Sequence, residues 1–290
     1  MALNQVYNGN SVKEVMELLQ EHKEDAKIIA GGTDLVVAIR AGKVDPKVMI
    51  DVSKIDELRE IKSTNDEIHI GAAATYTEVI ESELFDKNLY GLIKACRMVG
   101  SPQIRNKGTL GGNIANLAAA ADSIPPLIAL DAILEIGSLR GYRQVSVADF
   151  FSSNKEHGLK SDELLISIKF KKPKANQFLS FSKLGLRKAL AISRVTLSSL
   201  VEVENQMIKN IALASGSIGK YPMREPEVEK ALIGKNYDDN ILEYAIQSLQ
   251  SSMDERLEGR STLPYKRTAI VSLFEEVLED TNRYYSEVNI

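Results

Sequence analysis

The chain has 290 residues, 44% of them hydrophobic and 26% charged, and its net charge of -4 gives no basic footprint for nucleic acid. One cysteine and three histidines exclude more: an iron–sulfur cluster needs about four thiolates, a catalytic zinc about three ligands, and Cys96 has no partner for an intrachain disulfide. With no signal-like N-terminus and no run of roughly 18 apolar residues, membrane spanning and export are not expected, and a soluble cytoplasmic protein of two or three domains is.

In chain order, Ser11 and Glu14 have capping-box spacing, and Val12, Val15, Met16 and Leu19 share one helical face, which predicts a helix to about Glu21. Lys27–Ala30 reads as a strand running into Gly31 and Gly32, Leu35–Ile39 as helix, and Val48–Val52 as a second strand, a small βαβ-like unit. Leu58–Ile61 and Ile68–Ala72 flank the turn-prone Ser63-Thr64-Asn65-Asp66, a hairpin signal. Helices follow at Tyr76–Glu81 and Asn88–Val99. The stretch from Gly100 to Asp122 has little periodicity and few large side chains, yet it is too long for a mere connector.

Ile124–Leu130 then reads as helix and Ala132–Ile136 as strand, with a hairpin around Gly137–Gly141. After the strand Leu164–Phe170, the run Lys171-Lys172-Pro173-Lys174-Ala175-Asn176 is the best domain boundary, since a proline among charges is poor core material. Phe178–Leu184, Arg194–Glu204 and Met207–Ser215 read as strands, with a turn at Glu204–Gln206. Helical patterns near Arg224–Ile233, Asn240–Ser251 and Pro264–Leu278 close the chain.

Two glycine-rich segments lay backbone bare. In Ile28-Ile29-Ala30-Gly31-Gly32-Thr33-Asp34-Leu35 a strand delivers glycines to a helix start, where successive N–H groups can converge on a phosphate. Such a Gly-Gly pair is more often only a turn, and its spacing fits neither the dinucleotide pattern nor the P-loop, which leaves a standard nicotinamide fold or an ATPase unsupported. In Gly108-Thr109-Leu110-Gly111-Gly112-Asn113 a planar ring or a pyrophosphate could approach the bare glycines, although a surface loop has the same composition. His22, His69 and His157 are scattered at no metal spacing, Cys96 lies in an apolar helical run as a small buried hydrophobe, and Lys169, Lys171, Lys172 and Lys174 read as a solvated strand end.

The run Ala30–Leu35, then Gln103–Asn116, then Ala120-Ala121-Asp122 and Leu130-Asp131-Ala132, resembles the FAD-binding medium subunits of the molybdenum hydroxylases, over nearly the whole chain. That family includes flavoprotein subunits of xanthine, carbon monoxide and nicotinate dehydrogenases. The resemblance implies an α+β fold: a PCMH-type FAD-binding domain of two subdomains, residues 1–57 and 58–175, and a C-terminal domain, 176–290, of antiparallel sheet packed on helices. It also implies FAD on this chain, with [2Fe–2S] clusters on an iron–sulfur small subunit and a molybdenum-pterin cofactor on a large subunit. NAD⁺ or NADP⁺ would be the electron acceptor, and neither nucleic acid nor membrane a partner.

By the same resemblance, Ile28, Ile29, Ala30, Gly31, Gly32, Thr33, Asp34 and Leu35 would wrap the FAD pyrophosphate. Thr109, Leu110, Gly111, Gly112 and Asn113 would meet its other side and the flavin end, and Asp122 would bind through its carboxylate, besides serving as a helix N-cap. Val99, Leu165 and Lys183 match positions that touch the adenine or flavin portions in relatives, though Val99 replaces an aromatic residue found in some of them. Lys183 would face the flavin N1/C2 edge, where a cation favours the reduced anion. No catalytic acid or base and no metal ligand is expected on this chain. A rival is a stand-alone FAD/NADPH reductase of the UDP-N-acetylenolpyruvoylglucosamine reductase type, which shares a related fold.

Overall fold

A computed structural model of the chain describes residues 3, 5–152, 158–187, 190–237 and 241–288. The first unit is β1 (Gln5–Asn8), α1 (Val12–His22), β2 (Ala26–Ile29), α2 (Leu35–Arg40) and β3 (Val48–Asp51). Its strands form a parallel sheet in the order β1-β3-β2. β1 has no sequence signal because it is an exposed edge strand, with Val6 51% accessible. The α1 stripe does what its spacing predicts: Val12, Val15, Met16 and Leu19 are buried against Val48, Ile50 and Leu58. The capping box there is only half formed. Ser11 Oγ accepts from Glu14 N at 3.2 Å, but the Glu14 carboxylate takes the Asn10 N–H and side-chain amide, both at 2.9 Å, instead of the Ser11 N–H.

The second unit comprises α3 (Asp56–Arg59), β4 (Ile61–Ser63), β5 (Glu67–Gly71), α4 (Tyr76–Glu81), α5 (Tyr90–Arg97), α6 (Pro102–Arg105), α7 (Leu110–Ala115), α8 (Ile124–Ala129), β6 (Ile133–Ser138), β7 (Gly141–Ser146), α9 (Val147–Phe151) and β8 (Leu164–Lys171). Its five strands make an antiparallel sheet ordered β4-β5-β8-β6-β7. Leu58, expected to open the first hairpin, belongs to α3 and is fully buried, so the hairpin begins at Ile61. A complete reciprocal capping box occurs at Thr75 and Glu78, at the start of α4. The aperiodic glycine-rich stretch is not all loop. It carries α6 and α7, capped by the hydroxyls of Ser101 and Thr109.

The third unit is β9 (Gln177–Gly185), β10 (Ser193–Glu204), β11 (Met207–Gly216), β12 (Met223–Arg224), α10 (Pro226–Leu232), α11 (Ile241–Arg256) and α12 (Leu263–Val288). The sheet is antiparallel, β12-β11-β10-β9, and its long hairpin turns at Asn205 and Gln206, both at positive φ. One face packs on α12, while the other meets α5 and α8 of the second unit. Gly91 on α5 permits that contact, because a Cβ there would sit 2.6 Å from the Ser180 carbonyl carbon. A polar clamp closes the same seam: Lys94 Nζ donates to Glu276 and Asp280, both at 2.7 Å, and Ser182 Oγ donates to Glu276 at 2.6 Å.

Of the histidines, His22 stacks on Tyr7 with its Nε2 buried, His69 lies 3.3 Å from Glu67, and His157 lies outside the described residues. Lys171 is exposed and Lys174 pairs with Glu202 at 3.4 Å. Cys96 is fully buried, and burial, together with nearby Asp122, pushes its thiol up to about 12, a poor nucleophile at neutral pH.

Candidate functional site

The segment after β2 turns sharply at Gly32, whose φ of +69° is left-handed and suits glycine. Among the described residues, the N–H groups of Gly32, Thr33 and Asp34 find no protein acceptor. Asp34, the N-cap of α2, makes no side-chain cap bond. The second glycine-rich segment lies directly against the first. A Cβ on Gly31 would fall 1.8 Å from the Lys107 carbonyl oxygen, and Thr33 Oγ1 borders the position a Cβ on Gly108 would take. The two segments are therefore one construction, joined backbone to backbone.

Within the second segment the adjacent glycines do different work. Gly111 is buried and donates to Ala72 O at 3.0 Å, and a Cβ on it would meet that oxygen at 2.4 Å; it serves packing. Gly112 is exposed, and its N–H bonds the Thr109 hydroxyl at 2.9 Å. Leu110 is fully buried in the main core and does not reach the cleft. Asn113 Oδ1 accepts from Ser123 Oγ at 2.8 Å, which in turn lies 3.5 Å from the buried Tyr76 hydroxyl. That chain holds the Asn113 amide in place. Burial drives the Tyr76 phenol well above its usual range, so it stays neutral.

Asp122 is 7% exposed and does not cap α8, whose N-cap is Ser123. Its two oxygens are engaged instead by Lys183 Nζ and Ser193 Oγ, both from the third sheet. Lys183 also donates to Met98 O at 3.3 Å and is 5% exposed as a side chain. The ammonium expected at the flavin N1/C2 edge is thus paired with a carboxylate of this chain. Burial raises the Asp122 carboxyl above its ordinary value, and the Lys183 ammonium and the Ser193 hydroxyl oppose that rise.

These elements enclose a cleft of about 920 Å³. All the residues expected at the site line it except Leu110 and Lys183, so Ile28 to Leu35, Val99, Thr109, Gly111 to Asn113, Asp122 and Leu165 are brought together. Sequence reasoning missed several other lining residues: Ala72, Ala73 and Tyr76, the segment Leu159–Ser161, and Ala191, Ile192 and Ser193. Only the small-residue run Gly71–Ala74 carried a readable signal. A second cleft of about 780 Å³ shares Gly100 and Ala191 with the first. Arg97, Arg105, Lys183 and Arg187 line it, and among the described residues no acidic side chain does.

Residues 2–173 match the family described as FAD binding domain in molybdopterin dehydrogenase, and residues 180–281 match CO dehydrogenase flavoprotein C-terminal domain. The chain is 33% identical over 275 residues to the nicotinate dehydrogenase FAD-subunit of Eubacterium barkeri, covering 93% of each. It is 29% identical over 276 residues to the xanthine dehydrogenase FAD-binding subunit of Escherichia coli O157:H7, covering 94% of each. A solved structure of carbon monoxide dehydrogenase from Hydrogenophaga pseudoflava superposes with a TM-score of 0.87 over 96% of this chain and 98% of that one, at 23% identity, a likeness of fold.

Proposed function

The chain belongs to the family of FAD-binding subunits of the molybdenum hydroxylases, and from that premise we propose that it holds FAD in the larger cleft and works as the electron-transferring member of a heteromeric enzyme. Electrons taken from substrate at a molybdenum-pterin large subunit would arrive through an iron–sulfur small subunit and leave on NAD(P)⁺. One observation carries the reading: three unpartnered N–H donors at Gly32, Thr33 and Asp34 share a cleft with exposed Gly112. A diphosphate offers acceptor oxygens only, which is the complement such a surface needs.

Bound FAD would supply the step from single-electron arrivals to two-electron delivery. The tasks left to this chain are binding and shaping. Gly32 to Asp34 donate to the diphosphate, Gly112 leaves room for close approach, and Asn113 presents an amide oriented by Ser123. Buried Leu165 and half-buried Val99 keep water from the ring region. Lys183 balances the charge of Asp122. A single cysteine, and no metal-holding group of His, Cys, Asp or Glu among the described residues, supports placing the clusters on other chains.

The basic second cleft supports a phosphate-bearing acceptor, and Arg97 has no ion-pair partner among the described residues. Arg97→Glu is expected to raise the KM for NAD(P)H in dye reduction roughly 10-fold or more, the size of one lost charged contact, with flavin content unchanged. An unaltered KM would remove that cleft from the acceptor path. The stand-alone reductase is not favoured, since residues 180–281 match the CO dehydrogenase flavoprotein C-terminal domain. Affinity purification of the tagged chain from its own cells tests the main reading. Co-purifying polypeptides carrying iron, labile sulfide and molybdenum are expected; a lone flavoprotein consuming NADPH on its own substrate would overturn it.

A further inference from the structure

β10 begins with an irregularity whose consequence lies in the cleft. From Val195 onward it pairs with β9 in regular register, Val195 opposite Leu184 and Thr196 opposite Lys183. Ser193, however, stands opposite Gly185, so one extra residue, Arg194, is inserted. Side chains alternate along a strand. In uninterrupted register Ser193 would share the face of Val195, which is buried in the helix-covered core of the third unit. The inserted residue turns it to the face of Lys183, over the second unit. A bulge of this kind re-aims a side chain, and it occurs often beside functional sites.

So re-aimed, Ser193 is 4% exposed, lines the larger cleft, and donates its hydroxyl to Asp122 Oδ1 while Lys183 holds Oδ2. We propose that Ser193 is a positioning residue for the cofactor, fixing the Asp122 carboxylate so that its remaining acceptor sites meet hydroxyl groups of the bound flavin nucleotide; this rests on the FAD reading above. A carboxylate offers about four lone-pair sites, and Lys183 and Ser193 occupy two of them. Without the serine, Asp122 keeps only Lys183, can pivot about it, and is more readily protonated, which would turn an acceptor into a donor. Among the described residues, the other titratable groups facing Asp122 are the Tyr76 phenol from α4 and the Cys96 thiol from α5, both raised by burial and uncharged near neutral pH. Lys183 is therefore its counter-charge.

The test measures FAD affinity and the acid midpoint of FAD release, followed by flavin fluorescence, in wild type, Ser193→Ala and Ser193→Thr. The alanine variant is expected to bind FAD about 10-fold more weakly at pH 7, the value of one hydrogen bond to a charged group, and to release it at a higher pH than wild type. Threonine, which keeps the hydroxyl, is expected to restore both. If Ser193→Ala does not fold, Ser193→Cys, with a weaker donor of similar size, is read the same way. An alanine or cysteine variant with lowered thermal stability but wild-type affinity and acid midpoint would make Ser193 a fastener between sheets and overturn the proposal. A wild-type chain that binds no FAD would instead fail the underlying reading.

Discussion

A methyl group on Gly111 would press on the Ala72 carbonyl oxygen at 2.4 Å, whereas on Gly112 it would meet only the Thr109 hydroxyl, at 2.7 Å, beside the open cleft. Gly111→Ala should therefore lower stability by about 1–3 kcal/mol, as overpacking does, seen as a reduced thermal midpoint. Gly112→Leu should cost less stability and yield colourless protein; a purified variant with full flavin content would contradict the site. Lys183→Met removes the counter-charge of a carboxylate that is 8% exposed as a side chain, a loss of about 3–5 kcal/mol in comparable buried pairs. The sign follows from Asp122, whose folded pKa is already raised and would rise further. The penalty is absent while Asp122 is protonated and grows as pH rises through that value. The variant should thus be less stable at pH 8 than near pH 5, and Lys183→Met with Asp122→Asn should recover stability at pH 8. Equal losses at both pH values would refute the pairing. The two glycine-rich segments were visible in the sequence, although glycine pairs alone are more often turns and it took the resemblance to read them as one site. The partner of Lys183, 61 positions away, was not, and Ser193 faces the site only through a bulge that no local pattern announces.

At the scale of elements, the Lys94 clamp between α5 and α12 has a definite pH window. Burial disfavours the Lys94 charge, but Asp280 and Glu276 more than compensate and hold it above its ordinary 10.5. Burial likewise works against Glu276, and Lys94 and Ser182 outweigh it, bringing the carboxyl below 4.5. A depressed carboxyl contributes stability above its unfolded value that is lost as pH falls through the folded one; a raised lysine contributes below 10.5 and loses it as pH rises further. Glu276→Gln should accordingly flatten the acid side of a plot of thermal midpoint against pH, leaving little difference from wild type once Glu276 is protonated. An unchanged acid limb would mean that the clamp does not couple the two units. Elements with a hydrophobic period or a sharp turn were readable, as with α1, the β10–β11 hairpin and α4. The short helices α6 and α7 were not, since four to six residues span hardly more than a turn and their definition comes from the Ser101 and Thr109 caps. β1 escaped because an edge strand with both faces largely exposed has no alternation to detect.

At the scale of the molecule, a parallel sheet and two antiparallel sheets place the two glycine-rich segments against each other, and the third sheet reaches the cleft through Ser193 and packs on α5 of the second unit. The strands of the C-terminal sheet were readable as apolar runs around a turn, and the α+β architecture came with the resemblance; β9, β10 and β11 are buried on both faces over much of their length and show little alternation. The seam between the sheets was not readable, because it is built from Gly91, buried serines and a few buried ion pairs whose partners are distant in sequence. No helix among the described residues is long and apolar enough to cross a membrane. The scarcity of cysteine and histidine, with this cleft in view, supports a division of labour in which flavin sits here and metals elsewhere. The most direct measurement is a crystal structure of the chain grown with FAD. The account predicts one FAD whose diphosphate contacts the N–H groups of Gly32 to Asp34 and lies beside Gly112; FAD bound outside this cleft, or none at saturating concentration, would contradict it.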